Sequence, residues 1–162
     1  MSSWQEERPR VLEVRDDVVV KASISINGNN VLLGIREFTR KKYGLIPTKI
    51  GVALKYPEFL WVSEMLGDVP SSSVNLVNGN RWIGLEPTTD GSVVLSLKYN
   101  GEERSKIPLS NGSLRCLKKK APKYLASLLR LSKERNANIE LEKSKSWIDC
   151  ADTSSDDDEI ET

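Results

Sequence analysis

The stretch that decides the fold begins with Val31-Leu-Leu-Gly-Ile-Arg-Glu-Phe38 and continues through a basic connection to Gly51-Val-Ala-Leu54 and Tyr56-Pro-Glu-Phe59. Its first segment predicts a strand that ends in an Arg-Glu pair, and its second predicts another strand. Pro57 favours the first turn of a helix, because a fixed φ and a missing N–H are both tolerated there. The stretch therefore indicates a strand, a basic loop over Arg40–Tyr43, a strand over Ile50–Lys55 and a helix, in that order.

Turn signals on both sides of this stretch divide the chain into further strands. A β-branched strand is predicted from Val18, and it ends at Asn27-Gly28-Asn29-Asn30, where Asn and Gly tolerate the positive φ of a hairpin turn. Asn78-Gly79-Asn80 supplies a second turn of the same type. Around and after it the sequence predicts four more strands, over Val74–Val77, Arg81–Glu86, Ser92–Tyr99 and Glu103–Leu109. The leucine pattern over Leu114–Leu131 predicts a closing helix, in which Pro122 introduces either a kink or a break.

The two Asn-Gly-Asn turns lie roughly 50 residues apart, which indicates an internal duplication. A Gly-hydrophobe pair and a Glu follow the turn in both copies, and a helix closes each. Chance is the alternative, because Asn-Gly-Asn is common turn chemistry. The expected organisation is an N-terminal arm over residues 1–17, a first sheet-helix unit over 18–70, a second over 71–131, and an acidic, largely disordered tail over 132–162.

These signals predict an α+β protein built from two tandem units. Each unit is expected to be a curved antiparallel sheet of about four strands closed by one helix. A single unit of this size has a small core. We therefore expect the helices predicted over residues 57–66 and 114–131 to pack together, which makes the chain an internal pseudodimer. A true homodimer remains open as the alternative.

The composition argues against catalytic and metal sites. The chain has 162 residues, no His and two Cys, which removes Ser-His and Cys-His pairs and disfavours a zinc site. No glycine-rich phosphate loop is present. We therefore expect no enzymatic activity and no cofactor. No apolar run approaches the roughly 18 residues that cross a bilayer, and the N-terminus lacks the pattern of a secretory signal, so no membrane partner is expected.

The net charge of +1 conceals a division of charge along the chain. Residues 1–131 hold 20 Lys and Arg against 13 Asp and Glu, a net charge of +7, whereas residues 132–162 hold 4 against 10, a net charge of −6. A basic body favours polyanions, because phosphate neutralisation releases counterions. The acidic segment Asp152–Glu159 is expected to be disordered, and it would either compete with a nucleic acid or recruit a basic partner.

Four short motifs in order resemble the single-stranded-DNA-binding domain of the positive-cofactor-four family of transcriptional coactivators. They are Ile35-Arg36-Glu37-Phe38, Pro47-Thr48-Lys49, Gly51-Val52-Ala53-Leu54 and Tyr56-Pro57-Glu58-Phe59. The resemblance covers residues 20–68, and two such units in one chain are also similar to the Whirly architecture. The sequence departs from the family at Thr39, where the family has Trp, and at Ile50, where it has a basic residue.

The resemblance implies a single-stranded DNA or RNA binding protein that acts in transcription regulation or replication and lies in the nucleus. Transcription or replication proteins would then be partners of the acidic tail. The alternative is a protein-interaction or structural module that retains the fold without binding nucleic acid.

Single strands are bound by cations interleaved with aromatic platforms. On that basis the candidate nucleic-acid-binding residues are Lys21, Arg36, Phe38, Arg40, Lys41, Lys42, Tyr43 and Lys49. The resemblance implies phosphate contacts for Arg36 and Lys49. The alternative is that Arg36 and Glu37 form a surface ion pair and the lysines are only solvated.

The densest positive run lies in the closing helix, where Arg115, Lys118-Lys119-Lys120 and Lys123 include residues spaced by four on one face. Three interpretations are open for this run: a phosphate contact, a nuclear-localisation patch, and an ordinary solvated surface.

Overall fold

The computed structural model describes residues 5–6, 10–69 and 71–142 as an α+β fold with two antiparallel sheets and two helices, as the sequence predicts. The elements of the first half are β1 (Gln5–Glu6), β2 (Arg10–Arg15), β3 (Val18–Asn27), β4 (Asn30–Lys41), β5 (Gly44–Leu54) and α1 (Tyr56–Gly67). Those of the second half are β6 (Val74–Asn78), β7 (Arg81–Pro87), β8 (Val93–Tyr99), β9 (Glu102–Leu109) and α2 (Asn111–Glu134).

Each sheet is a meander that precedes its helix. In the first sheet β2, β3, β4 and β5 are neighbours in that order, and β1 extends the edge formed by β2. The second sheet has the order β6-β7-β8-β9. Both sheets therefore carry the same succession of four strands and a helix, which is consistent with a tandem repeat.

The expected N-terminal arm over residues 1–17 is wrong where the structure describes it. Arg10–Arg15 is a strand that pairs with β3, and Leu12 on this strand is buried in the core. The turn at Asp16-Asp17 joins it to β3, and Asp16 has a φ of +49°. Charged residues interrupt the short apolar alternation of Arg10–Arg15. The sequence therefore predicted the first strand at Val18 and missed the strand before it.

The expected basic loop at Arg40–Tyr43 is also wrong. β4 continues through Lys41, only Lys42 and Tyr43 form the turn, and β5 already begins at Gly44. The φ of Gly44 is +126°, a value that side-chain-bearing residues rarely adopt. Pro47 on β5 pairs with Phe38. Pro47 suggested a loop between two shorter strands, but the structure has one long β4–β5 hairpin there.

Helix α2 is one continuous helix despite Pro122 in its interior. It begins at the N-cap Ser110, whose hydroxyl accepts a hydrogen bond from the backbone N–H of Ser113. Glu13 of the first sheet accepts hydrogen bonds from the hydroxyls of Ser110 and Ser113, at 2.5 and 2.8 Å. Burial alone would raise the pKa of Glu13, but these hydrogen bonds and the charge of Arg15 outweigh it and lower the pKa.

The first turn of α1 is held in a similar way by side chains of the second half of the chain. Glu58 in the first turn of α1 is fully buried and accepts hydrogen bonds from the side chains of Asn78 and Arg81. The Arg81 guanidinium lies 2.7 Å from the carboxylate and also donates to the carbonyl oxygen of Ala53. The start of α1 is therefore attached to the β6–β7 hairpin, and the start of α2 to the β2–β3 hairpin.

Both sheets and both helices contribute to the core. One cluster of buried side chains contains residues from both sheets, α1 and α2. Phe59 of α1 and Tyr124 of α2 meet edge to face, with ring centroids 6.3 Å apart. Burial raises the pKa of Tyr124 to about 12, and its hydroxyl has no hydrogen-bond partner among the described residues.

Within the described residues no helix is both long and apolar enough to cross a membrane.

The letter match between the two Asn-Gly-Asn turns does not follow the structural repeat. Asn27-Gly28 joins β3 to β4, the second and third strands of the meander β2–β5, whereas Asn78-Gly79 joins β6 to β7, the first and second strands of the second sheet. The turn that corresponds to Asn78-Gly79 in the first half is Asp16-Asp17. The match between the two sequences therefore reflects similar turn chemistry. The structural repeat lies in the order of strands and helix in each half.

The expected boundary of the acidic tail at residue 132 lies too early. α2 ends at Glu134, and the chain then returns to the second sheet, where the Glu142 N–H donates to Asn78 Oδ1 and the Gly79 N–H donates to the Glu142 carbonyl oxygen. The expected disorder of Asp152–Glu159 lies outside the described residues.

Candidate functional site

The outer face of the first sheet forms a groove, because strand alternation separates its polar residues from the core. On β3, Ala22 and Ile24 point into the core, so Lys21 and Ser23 lie on the outer face. The groove has a volume of about 510 Å³, within the range of ligand pockets. It is lined by Lys21, Ser23, Ser25, Leu32, Gly34, Arg36, Phe38, Val52 and Ala53.

Two cations of this groove lie directly opposite each other. Lys21 of β3 and Arg36 of β4 are cross-strand partners on the same face. Like charges in this position destabilise a sheet, and an anion between them would remove the repulsion. The Lys21 ammonium also lies 5.1 Å from the centroid of the Phe38 ring, a cation–π distance. The groove thus combines two cations with one aromatic ring.

Arg36 is held by the irregular part of β5. Its Nη1 donates a 2.7 Å hydrogen bond to the Thr48 carbonyl oxygen, and the Thr48 hydroxyl donates to the carbonyl oxygen of Glu37. The pairing of β4 with β5 shifts register here. Across from Arg36, a Cβ on Gly51 would lie 2.9 Å from the carbonyl oxygen of Ile35, so the close approach of the strands requires glycine. The guanidinium keeps four of its five N–H donors for a ligand.

The surface ion pair between Arg36 and Glu37 is not formed. Adjacent strand residues point to opposite faces, and Glu37 is buried on the core side whereas Arg36 is exposed on the outer side. That alternative interpretation of Arg36 is therefore wrong.

The other candidate residues lie outside the groove. Arg40, Lys41, Lys42 and Tyr43 occupy the far end of the β4–β5 hairpin. Tyr43 is 90% exposed, and the Lys42 ammonium lies 5.6 Å from the centroid of its ring. Lys49 is exposed on β5 in the irregular segment opposite Glu37 and does not line the groove. The structure thus brings together Lys21, Arg36 and Phe38, and it separates the other five candidates from them.

Small side chains of the groove were not recognised in the sequence. Ser23, Ser25, Gly34 and Ala53 form much of its lining, and Leu32 supplies an apolar contact surface. The alternation Lys21-Ala-Ser-Ile-Ser25 could have indicated this lining, because its odd-numbered residues share one face of the strand.

A comparison of two glycines shows how open this face is. A Cβ on Gly34 would meet only the Ser23 carbonyl oxygen, at 3.8 Å. A Cβ on Gly84, at the centre of the second sheet, would lie 2.7 Å from Ser96 Oγ and 2.9 Å from Asn75 Oδ1. Polar side chains therefore cover the second sheet at Gly84, whereas the first sheet has a flat floor at Gly34.

The groove has the chemistry of a site for an anion attached to a planar ring. Its two cations attract negative charge, Phe38 offers a stacking surface, and the small residues allow close approach to the backbone. Among residues 5–6, 10–69 and 71–142, no group of three or more His, Cys, Asp or Glu side chains could hold a metal ion.

Comparison of the sequence with protein-family models and with curated proteins finds no match.

Proposed function

We propose that this chain is a single-stranded nucleic-acid-binding protein without enzymatic activity, and that it acts in transcription regulation or replication in the nucleus. The observation that carries the proposal is the outer groove of the first sheet, in which Lys21 and Arg36 face each other beside Phe38. The motif resemblance to the positive-cofactor-four family supports the same function, because three of its four motifs contribute to β4 and β5.

The charge of the groove supports a phosphate ligand. Neither Lys21 nor Arg36 has a carboxylate partner among the described residues, so no acidic side chain of that part of the chain neutralises their repulsion. A phosphodiester between them would accept hydrogen bonds from both and release counterions from the nucleic acid.

The shape of the groove supports a single strand rather than a duplex. The floor at Gly34 lies at the level of the backbone, and Phe38 lies at the side of Lys21, so an unpaired base can lie flat against the sheet and stack on the ring. Bases in a duplex are already stacked and cannot enter such a site without unpairing.

We also propose that the two halves form an internal pseudodimer. The attachment of α1 to the β6–β7 hairpin through Glu58 is matched by the attachment of α2 to the β2–β3 hairpin through Glu13. Because β2–β3 and β6–β7 hold the same place in their sheets, each helix begins against the same element of the other half. The Phe59–Tyr124 contact lies between the helices.

Fluorescence anisotropy with a labelled oligothymidine of about 12 nucleotides tests the function, since single-strand sites cover about 4–16 nucleotides. At about 0.1 M salt we expect tighter binding to this strand than to a blunt duplex of the same length. Lys21→Gln with Arg36→Gln should weaken single-strand binding at least about tenfold and reduce the slope of log K against log salt by about 1.4, or about 0.7 for each lost phosphate contact.

Lys118→Gln with Lys119→Gln is the matched control, because it removes two charges from α2 instead of the groove. Equal losses in the two variants would mean that net charge rather than the groove binds the strand. Binding of the wild type to neither nucleic acid would reject the proposal and favour a protein-interaction module.

A further inference from the structure

The positive charge of the chain is concentrated in α2 rather than in the first sheet. Residues 1–110 hold 14 Lys and Arg against 13 Asp and Glu, a net charge of +1. Helix α2, over Asn111–Glu134, holds seven Lys and Arg against one Glu, a net charge of +6. The groove accounts for little of this charge, so the helix requires an explanation of its own.

Four of these cations form a stripe on the solvent side of the helix, which we call the α2 stripe: Arg115, Lys118, Lys119 and Lys123. Positions three and four apart are neighbours on a helix surface. All four side chains are exposed, and none has an ion-pair partner among the described residues. The stripe spans about 12 Å at a rise of 1.5 Å per residue. Its like charges repel one another, and an anionic partner would neutralise them.

The solvent side of α2 has no continuous apolar face for a membrane or an apolar partner helix. The exposed positions of the helix are polar or charged apart from Pro122 and Ala126, and no large hydrophobic residue is exposed between Asn111 and Glu134. Helices that lie in a membrane interface need an apolar face, which here is buried in the core. A cleft of about 410 Å³ adjoins the N-terminal third of the helix, where Arg115 and Lys118 of the stripe line it together with Val69 and Leu114.

The same side of the helix also lacks the aromatic platforms on which single strands stack. Charge is then the only source of affinity, and it favours the nucleic acid with the higher charge density. A duplex carries one negative charge for about every 1.7 Å of its axis. The α2 stripe therefore fits the phosphate backbone of a duplex better than a single strand.

The stripe and the groove lie on different sides of the first sheet. α2 packs against β2, β3 and β4 from the core side, whereas the groove is on their outer side. From this geometry we infer that the α2 stripe is a second nucleic-acid-binding surface, which takes the phosphate backbone of a duplex without reading its sequence. This inference goes beyond the proposed function, and it does not rest on the groove.

Anisotropy titrations with a labelled blunt duplex and a labelled oligothymidine, each of about 12 units, separate the two surfaces. The full chain is compared with the triple variant Lys118→Gln, Lys119→Gln and Lys123→Gln. We expect duplex affinity to fall at least about tenfold near 0.05 M salt, with a salt slope reduced by about 2.7, or about 0.9 for each lost contact. Single-strand affinity should change less than about threefold, because the groove is intact.

Lys98→Gln with Arg104→Gln and Lys106→Gln removes three charges from the second sheet and should leave duplex affinity nearly unchanged. Equal duplex losses in both triple variants would overturn the inference, because net charge would then suffice. So would effective competition by polyglutamate at equal charge concentration, which would indicate an acidic protein as the partner. Unchanged single-strand binding in the Lys21→Gln, Arg36→Gln variant, together with loss of duplex binding in the α2 triple variant, would reject only the proposed function.

Discussion

Position on the strand, rather than residue type, separates the groove side chains from the other candidates. Lys21, Arg36 and Phe38 share one face because they lie at matching positions of paired strands. Tyr43 has the same chemistry as Phe38, but it lies at the turn of the hairpin and is 90% exposed. A ring that supports a base must itself be held by neighbours, so Phe38 and Tyr43 should behave differently.

Phe38→Ala is expected to weaken single-strand binding by about 1–3 kcal/mol, the usual contribution of one stacked base. Tyr43→Ala, in the same hairpin, should cost less than about 0.5 kcal/mol, because its ring is not fixed against the sheet. Anisotropy titrations of both variants measure the difference, and circular dichroism checks that each is folded. A larger loss at Tyr43 would move the binding site to the end of the hairpin.

Glu58 is expected to be the most sensitive charged residue for stability. Glu58→Gln leaves the Arg81 guanidinium, whose side chain is 13% exposed, without its carboxylate. Breaking a buried ion pair on one side costs about 3–5 kcal/mol. Urea denaturation measures this loss, and Glu64→Gln on the exposed side of α1 is the control. Similar free energies of unfolding for the two variants would show that the buried pair is not important for stability.

At the scale of elements, side-chain hydrogen bonds attach the N-terminus of each helix to the other half of the chain. Orphan N–H groups there need acceptors, and this chain supplies them differently for its two helices. Glu58 accepts from the Lys55 N–H at the start of α1, whereas Ser110 caps α2 and is itself held by Glu13. The second arrangement depends on an ionised carboxylate from another strand, so the stability of α2 should depend on pH.

Burial alone would raise the pKa of Glu13, but this pKa is lowered in the folded protein from its ordinary value of 4.5, because the Ser110 and Ser113 hydroxyls donate to the carboxylate. The folded state therefore binds fewer protons at this group than the unfolded state. Its contribution is fully present above the unfolded pKa and is lost as the pH falls through the folded pKa. Glu13→Gln should reduce stability at pH 7 by about 1–2 kcal/mol and flatten the pH dependence below about pH 4.5. Urea titrations between pH 3 and pH 7 measure both effects, and parallel curves for the two proteins would contradict this role.

The whole molecule buries the apolar faces of both sheets within one chain. Ile35 and Leu54 of the first sheet belong to the same core cluster as Ile83 and Leu95 of the second. A single sheet-helix unit would leave such a face exposed and would need a second copy. In this chain, residues of both halves belong to one buried cluster.

We therefore expect the full chain to be a monomer in dilute solution. Light scattering during size-exclusion chromatography should give the mass of one chain, 18.2 kDa, over a wide range of loading concentrations. Phe59→Ala, at the contact between the helices, should lower stability by about 3–5 kcal/mol without producing a dimer. A dimer that survives dilution would contradict the internal arrangement.

The sequence alone determined the order of most elements and the fold class. Strand alternation, Asn-Gly turns and Pro57 are local signals, because they depend on backbone geometry within a few residues. They located β3, β6, β7, β8, β9 and both helices, and they predicted two helix-closed units. They failed at β2 and at the β4–β5 hairpin, where charged residues or Pro47 stand in strands that are stabilised by pairing with neighbours.

Only the tertiary structure decided which of the candidate residues form a site. The pairing register placed Lys21 opposite Arg36, and the β5 irregularity set Lys49 apart from them. The open floor at Gly34 and the covered position at Gly84 depend on side chains from other strands. Sequence spacing cannot supply this information, because contacts across strands are fixed by register and by packing between distant segments.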